Sequence, residues 1–221
     1  MKQHIVLFDL DGTLIDSTQA IYESFCKAYE AMGQTPPSFE QTKACIGHTL
    51  ENMFLQNNVT SFNVDKYVNH YRIYYRALME SGTHLLTHAK EAIIEAYNFA
   101  YLGIVTTKRG DFSQILLEKL GVWEYFETIV GIESVSSPKP HPQPILMALQ
   151  QFPQQARNIP KDRIYMIGDT PLDIQAAQEA GINPIGVLCG FGKKEDMQAF
   201  GIPLYEHTLQ AVQAIAQKCS I

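Results

Sequence analysis

Cysteine is scarce in this sequence, and the few residues present are far apart. They stand at positions 26, 45, 189 and 219, and no two of them form a CxxC pair. Without such pairs, neither a zinc site nor a disulfide framework is indicated. We therefore expect reduced thiols and, with them, a cytoplasmic protein.

Long apolar runs and an excess of basic residues are also missing. No apolar stretch approaches the ~20 residues that a membrane-spanning helix needs, and the polar start Met-Lys-Gln-His does not resemble a signal peptide. The formal net charge is −6, which argues against a general nucleic-acid binder. The sequence therefore predicts neither a membrane nor a nucleic-acid partner, and it leaves the oligomeric state open.

The chain does have the apolar content and the alternating pattern of an α/β fold. With 221 residues and 46% hydrophobic side chains, it can bury the core of one large domain or of a domain with an insert. Alternating strands and helices indicate a Rossmann-like parallel sheet with helices on both faces. Asp111 with Gln114 resembles a capping box at one helix start. The predicted strands cover 5–8, 102–106, 128–131, 163–168 and 184–188, and the predicted helices cover 90–100, 111–120, 142–151, 170–180 and 208–217.

A segment after the first strand is predicted to be helical throughout. Over about 17–85 the apolar residues recur at helical spacing, and no strand is expected there. We therefore expect two domains, an α/β core and an inserted all-helical cap. The core is predicted to comprise 1–15 and 87–221, and the cap 16–86.

The first predicted strand ends in two carboxylates with one residue between them. Its apolar run, 5–8, reads as a buried parallel strand and is followed by DLDGT. Ligands of open α/β sheets bind outside the carboxyl ends of strands, where Asp9 and Asp11 would lie. A hard divalent cation such as Mg²⁺ would relieve the repulsion between them. Gly12 permits a tight turn, and Thr13 offers a hydroxyl and an N–H group to an anion. The alternative is an acidic turn without chemistry.

Polar clusters also follow three later strands. Thr106 and Thr107 follow the second strand, where hydroxyl and N–H groups can hold phosphate oxygens. Lys139 lies in a proline-rich loop, SPKPHP, that is stiff enough to hold its ammonium over carboxylates and phosphate. Asp169 ends the fourth strand, and Asp173 follows in a Thr-x-x-Asp capping pattern. Taken singly, the first two clusters are better explained as a solvated loop and an exposed lysine, and a helix cap is a strong alternative for Asp173.

Together, the clusters resemble the four motifs of the haloacid dehalogenase (HAD) superfamily of phosphohydrolases, in order and at strand ends. The motif residues are Asp9-x-Asp11-Gly12-Thr13, then Thr106, then Lys139, then Gly168-Asp169-x₃-Asp173. The place of the helical insert is similar to that of the C1-cap subclass. The segments 46–50 and 139–142 look most like the phosphoglycolate phosphatase branch, although Thr107 stands where that branch often has Asn.

This resemblance implies a Mg²⁺-dependent hydrolase of small, phosphoglycolate-like phosphate monoesters that works through an aspartyl-phosphate. In the family the first Asp, here Asp9, is the nucleophile, and the second, Asp11, is the general acid and base. The implied metal shell is Asp9, the backbone carbonyl of Asp11 and Asp169, with Asp173 in support. The implied phosphate-binding residues are Gly12, Thr13, Thr106, Thr107 and Lys139. In the cap, His48 is the candidate for contact with the substrate, with an unliganded loop histidine as the alternative.

Other functions were weighed against this interpretation. A haloalkanoate dehalogenase shares the fold and nucleophile but needs no metal, and Asp11 argues against it. A β-phosphoglucomutase-like phosphotransferase shares the core residues, but the predicted cap lacks an Arg-rich segment for a sugar phosphate. A pyrophosphatase or nucleotidase of the same superfamily stays open. A non-catalytic binding module is disfavoured because Asp9, Asp11, Lys139 and Asp169 are all intact.

Overall fold

The fold was analysed in a computed structural model, which describes residues 2–219 without the side chain of Cys219. The chain divides into two compact units. The larger unit contains the residues up to Ile15 and those from Leu85 onward, and the smaller unit is Asp16–His84. The cysteines at 26, 45 and 189 are free thiols. None of the helices among the described residues combines the length and the apolar character needed to cross a bilayer.

Strands and helices alternate along the larger unit, and the smaller unit is mainly helical. The strands are β1 (His4–Phe8), β2 (Ile15–Asp16), β3 (His84–Leu85), β4 (Ala100–Val105), β5 (Phe126–Val130), β6 (Ile164–Gly168), β7 (Asn183–Val187) and β8 (Leu204–Tyr205). The helices are α1 (Thr18–Ala31), α2 (Phe39–Lys43), α3 (Leu50–Gln56), α4 (Val64–Leu78), α5 (Ala89–Phe99), α6 (Gly110–Lys119), α7 (Gln143–Gln151), α8 (Gln154–Arg157), α9 (Pro171–Ala180), α10 (Lys194–Gln198) and α11 (Thr208–Cys219). Short 3-10 turns occupy 123–125, 132–134 and 161–163.

The core of the larger unit is a six-stranded sheet in the order β5-β4-β1-β6-β7-β8. Its strand pairs are parallel, and β1 lies between β4 and β6. Every residue of β1 is buried, as expected for a continuous apolar run in a sheet that is covered on both faces. The predicted Rossmann-like α/β fold is therefore confirmed, and the carboxyl end of β1 lies at the middle of the sheet.

Helix α9 shows how the local sequence places acidic groups at the carboxyl-terminal edge of the sheet. Thr170 and Asp173 form the predicted capping box, Pro171 is the first helical residue, and Gly181 ends the helix with a left-handed φ of 72°. The proline lacks an N–H that would have no partner in a first turn, and glycine adopts positive φ without a steric penalty. These local signals fix the helix start directly after β6, so that Asp169 and Asp173 are held on one short turn.

Two local predictions were wrong. The capping box at Asp111 is not formed, because α6 begins one residue earlier and the Asp111 carboxylate binds the Arg109 guanidinium at 2.9 Å. Glu133, distant in sequence, accepts the hydrogen bond from the Gly110 N–H instead, at 2.8 Å. The stretch 17–85 is also not free of strand, since His84–Leu85 pairs with β2. Tertiary contacts outside the local pattern decide both cases.

The smaller unit consists of helices α1 to α4 around an aromatic core. Phe25 of α1 stacks on Phe54 of α3 with ring centroids 4.2 Å apart, and Tyr71 of α4 packs edge-on against Phe25 at 5.6 Å. Offset-stacked and edge-to-face arrangements are the ones that aromatic quadrupoles favour. The unit therefore has a core of its own, in agreement with its separate compactness.

Candidate active site

The carboxylate of Asp9 is bound by a buried lysine. Asp9 follows β1 directly, and its backbone N–H donates to the carbonyl of Ile167 at 2.9 Å, which ties it to the edge of the sheet. Lys139 Nζ donates to Asp9 Oδ1 at 2.8 Å, to Asp173 Oδ1 at 2.6 Å and to the Val105 carbonyl at 3.0 Å. Only 5% of Lys139 is exposed. The lysine of the proline-rich loop is thus an interior residue that joins two carboxylates.

A second set of contacts holds Asp169. Its Oδ1 accepts a hydrogen bond from the Thr13 hydroxyl at 2.9 Å, and its Oδ2 accepts one from the Phe191 N–H at 2.8 Å. Asp9, Asp169 and Asp173 are all buried, and one carboxylate oxygen from each lies within 4.8 Å of the others. The structure therefore brings Asp9, at the end of β1, together with Asp169 and Asp173, which lie about 160 residues further along the chain at the end of β6 and the start of α9.

The electrostatics of this cluster favour a bound cation. Burial raises the pKa of Asp9 to about 7, although the Lys139 ammonium acts in the opposite direction. Burial, together with the charges of Asp9 and Asp173, raises the pKa of Asp169 well above its usual range. Burial alone would lower the pKa of Lys139, but Asp173 and Asp9 raise it above its usual value. One ammonium does not offset three carboxylates, so the donor set fits a hard divalent cation with oxygen ligands.

Asp11 is not one of these three clustered acids, and its carboxylate has a lysine partner of its own. Its Oδ2 is 3.1 Å from the Nζ of Lys108, and the two side chains are only 11% and 8% exposed. Asp11 was predicted to lend its backbone carbonyl, not its carboxylate, to a metal. The Asp11 carboxylate thus has a lysine partner other than the Lys139 that binds Asp9 and Asp173.

The remaining predicted phosphate-binding residues lie on the turns after β1 and β4. Gly12 adopts a φ of 85°, and Thr13 is fully buried. The backbone of Thr106 donates to the Val130 carbonyl at 3.0 Å, and its hydroxyl accepts from the Lys108 N–H at 3.1 Å. Thr107 follows on the same turn and is half-buried. These residues lie at the carboxyl ends of neighbouring strands, where α/β sheets bind ligands.

His48 belongs to the smaller unit and not to the core. It is half-buried on the short connection between α2 and α3, where its N–H donates to the Cys45 carbonyl at 3.2 Å. Its backbone is therefore anchored locally, and its predicted contact with substrate stays a prediction.

Comparison with known proteins identifies the family. Residues 6–187 match the family model of the haloacid dehalogenase-like hydrolases. The chain belongs to that family. The probable phosphatase IndB of Dickeya dadantii is 30% identical over 201 residues, which cover 88% of this chain and 85% of that protein. A phosphoglycolate phosphatase of Photorhabdus laumondii is 28% identical over 87% of this chain and 83% of its own.

Further relatives carry other names within the HAD family. A Caldanaerobacter subterraneus protein with the provisional name pyrophosphatase PpaX is 32% identical over 85% of this chain and 82% of its own. Among solved structures, a haloacid dehalogenase-like hydrolase of Streptococcus pneumoniae is 27% identical and superimposes with a TM-score of 0.83 over 96% of this chain and 97% of that chain. Both the family and its fold are therefore shown, while the names of the relatives cover more than one substrate.

The sequence interpretation missed one part of this HAD site, the loop after β7. In that loop, Cys189-Gly190-Phe191-Gly192, the N–H of Phe191 donates to Asp169. A Cβ placed on Gly190 would lie 2.1 Å from Asp169 Oδ2, and one on Gly192 would lie 2.0 Å from the Asp169 carbonyl oxygen. A glycine pair at the carboxyl end of a strand next to β6 was the available signal, but no predicted motif included it.

We expect Gly190→Ala to weaken metal binding. The added methyl group would displace the Asp169 carboxylate, and loss of such supporting contacts typically lowers metal affinity by about 10- to 100-fold. Binding of Mn²⁺, followed by its electron paramagnetic resonance signal, should shift to higher concentration by a factor in that range. Gly201→Ala is the control, because nothing lies within 4 Å of its added Cβ and the substitution strains only the backbone, at a φ of 63°. Equal Mn²⁺ affinity in wild type and Gly190→Ala would contradict the role given to this loop.

Proposed function

We propose that this HAD-family protein is a Mg²⁺-dependent phosphatase of small phosphate monoesters that works through an aspartyl-phosphate. The observation that carries the proposal is the pairing of Asp9 with the buried Lys139 inside the acidic cluster. An acid at the carboxyl end of the central strand, held at 2.8 Å by a fixed cation, is arranged as an oriented nucleophile. A cytoplasmic location stays a prediction of the cysteine pattern.

In the first step, a carboxylate oxygen of Asp9 attacks the phosphorus atom. A P–O bond forms to Asp9, the P–O bond to the leaving group breaks, and Asp11, in its protonated form, gives its proton to the departing oxygen and becomes a carboxylate. In the second step, Asp11 takes a proton from water, the water oxygen attacks phosphorus, and the bond to Asp9 breaks. Free Asp9 and inorganic phosphate result. Dividing the reaction in this way replaces one difficult displacement with two easier ones.

Charge neutralisation and positioning supply most of the rate in such a reaction. Lys139 would contact the transferring phosphoryl group as well as Asp9, and Thr106 and Thr107 would offer hydrogen bonds to its oxygens. Gly12 and Thr13, predicted to bind phosphate, instead support the site, because their N–H groups donate to the carbonyls of Ile15 and Leu10 and the Thr13 hydroxyl donates to Asp169. Mg²⁺, held by Asp9, Asp169 and the Asp11 carbonyl with Asp173 in support, would neutralise phosphoryl charge when bound. This metal assignment rests on the burial of the three carboxylates and on their negative charge, which Lys139 alone does not offset.

We further propose that residues 16–86 act as a cap, with the smaller unit closing over the site. Its two connections to the core pair with each other as strands β2 and β3, so they can move together. A closed cap would exclude bulk water, which strengthens the electrostatic interactions at the phosphoryl group. A closed cap favours small esters of the phosphoglycolate type, the substrate in the name of one relative. The alternatives are a pyrophosphatase, which the name of another relative suggests, and a sugar-phosphate transferase, which would share the same core residues.

The cap proposal predicts that His48 selects the leaving group. We expect His48→Ala to change the ranking among phosphoglycolate, sugar phosphates and nucleotides, while a generic aryl phosphate changes by less than about threefold, because lost contacts to a leaving group act only where that group is present. The measurement is kcat/KM for the panel. His70→Ala, a histidine on α4 of the same unit, is the control. An equal fall for every substrate would show that His48 does not set specificity.

The experiment that tests the phosphatase assignment is a screen of small phosphate esters with the purified protein. Release of inorganic phosphate from several monoesters with Mg²⁺, and none after chelation, is the expected result. Release from pyrophosphate alone would favour the alternative that the name of the Caldanaerobacter relative suggests. Transfer of phosphate between sugar positions without net hydrolysis would favour a phosphotransferase.

A further inference from the structure

Lys108 is a buried charge that the proposed mechanism does not use. Its side chain is 8% exposed, and its Nζ lies 3.1 Å from Asp11 Oδ2. Lysines are almost never buried without a partner, and removing one partner of such a pair leaves an uncompensated charge in the interior. The Asp11 carboxylate therefore compensates the charge of Lys108, and it has the Lys108 ammonium beside it.

The backbone that carries Lys108 is anchored on both sides. The Lys108 N–H donates to the Thr106 hydroxyl at 3.1 Å, and its carbonyl accepts from the Ile132 N–H at 3.1 Å. Two residues further on, the Gly110 N–H donates to the Glu133 carboxylate at 2.8 Å. A lysine stem is flexible, but this one starts from a loop that is tied to the segment after β5. Its ammonium is consequently delivered to a defined place.

The two carboxylates of the DLDGT motif thus have separate cations from separate loops. Lys139, from the loop before α7, holds Asp9 at 2.8 Å, and Lys108, from the loop after β4, holds Asp11 at 3.1 Å. The two acids have different tasks in the proposed reaction, and this division keeps their carboxylates from competing for one ammonium. Cβ placement alone does not fix an aspartate side chain, since its terminal torsion is broad.

We propose that Lys108 is a positioning residue that holds the Asp11 side chain in place, so that its protonated carboxyl group can reach the leaving group. The inference rests on the proposed function, because it assigns Lys108 a role through the acid and base of that reaction. General acid catalysis contributes typically 10²- to 10⁴-fold and depends on hydrogen-bond reach. A displacement of about 1 Å can cost about 10²-fold. Loss of Lys108 should therefore remove part of the acid contribution and leave the nucleophile intact.

A dependence on the leaving group follows from this role. An alkyl alkoxide is strongly basic and needs a proton as it departs, whereas a p-nitrophenolate departs readily without one. Lys108→Met keeps an apolar stem of similar length and removes the charge. We expect its kcat/KM to fall by about 10- to 100-fold for ethyl phosphate but by less than about threefold for p-nitrophenyl phosphate. A residue that only stabilised the fold or bound the phosphoryl group would lower both alike.

The decisive experiment is a double-mutant cycle of Lys108→Met and Asp11→Asn, measured with both substrates. If Lys108 acts through Asp11, its replacement should change kcat/KM for ethyl phosphate by less than about twofold once Asp11 is already Asn, because coupled residues are non-additive. Lys108→Arg should restore part of the loss. Lys161→Met is the matched control, since it also removes an ammonium that makes a hydrogen bond, in this case to the Ala180 carbonyl at 2.7 Å.

Several outcomes would overturn the inference while leaving the phosphatase assignment in place. These are full additivity of the two substitutions, an equal loss for both leaving groups, or a loss confined to substrates that carry a carboxylate, such as phosphoglycolate. The last result would make Lys108 a substrate-binding residue. If Lys108→Met fails to fold, Lys108→Gln removes the charge in its place, and Lys108→Arg remains the variant that keeps it. Absence of phosphatase activity in the wild-type protein with Mg²⁺ would instead refute the proposed function itself.

Discussion

Replacing Asp9 with Asn is expected to reduce phosphatase turnover by at least about 10⁴-fold. Loss of the nucleophile typically removes nearly all of the rate enhancement that the catalytic residues provide together. The amide has almost the same shape, so Lys139 keeps its hydrogen bonds to Asp173 and the Val105 carbonyl. The measurement is phosphate release under saturating substrate and Mg²⁺, with thermal melting to show that the fold is retained.

Two comparisons make the Asp9 result specific. Asp162→Asn removes an exposed acid outside the site and should leave turnover within about twofold, as surface substitutions usually do little. Asp11→Asn should slow turnover severely but leave the nucleophile able to bind beryllium fluoride, a mimic of the acyl phosphate. An Asp9→Asn protein that retains turnover within tenfold of wild type would remove Asp9 from the mechanism.

Removal of divalent cations is expected to have an effect of similar size. With EDTA, activity on any phosphate ester should fall to the detection limit, and it should return when excess Mg²⁺ is added. The physical reason is the charge excess of the buried acids, which Lys139 does not offset alone. Binding to the folded state also adds stability, about 2.7 kcal/mol at a metal concentration 100 times the Kd. The melting temperature should therefore rise with Mg²⁺.

A variant separates a metal at this cluster from metal bound elsewhere. Asp169→Asn removes one charge from the group and should abolish the rise in melting temperature as well as the activity. Glu179→Gln, an exposed acid near the end of α9, should retain both. Full activity in the presence of chelator, or an unchanged thermal shift in Asp169→Asn, would contradict the metal assignment.

The parts of the site that sequence predicts well are those set by neighbours in the chain. The apolar run of β1 places Asp9 at a strand end, and the Thr170–Asp173 capping box with Pro171 fixes the start of α9. Each of these depends on residues within a few positions of one another, so their pattern is visible without the fold. Lys139 was found because prolines on both sides marked a stiff loop.

The parts that sequence does not predict depend on distant residues. Nothing near Asp111 shows that Glu133 will cap α6 in place of a local box. The N–H of Phe191 binds Asp169 only because β7 lies next to β6 in the sheet, and strand order is not readable from local periodicity. The strand β8 has only two residues, too few for an alternating pattern. The pairing of Lys108 with Asp11 also requires the fold.

In the proposed reaction Asp9 carries the phosphoryl group as a mixed anhydride, and one measurement tests this directly. The protein is mixed with substrate and Mg²⁺, quenched with acid within the first turnover, and treated with borohydride, which reduces an acyl phosphate to an alcohol. Peptide mass spectrometry should then find homoserine in place of aspartate at position 9, and only in the sample that received substrate. Unmodified Asp9 in a sample that has released phosphate, or homoserine at Asp11 or Asp169 instead, would contradict the account.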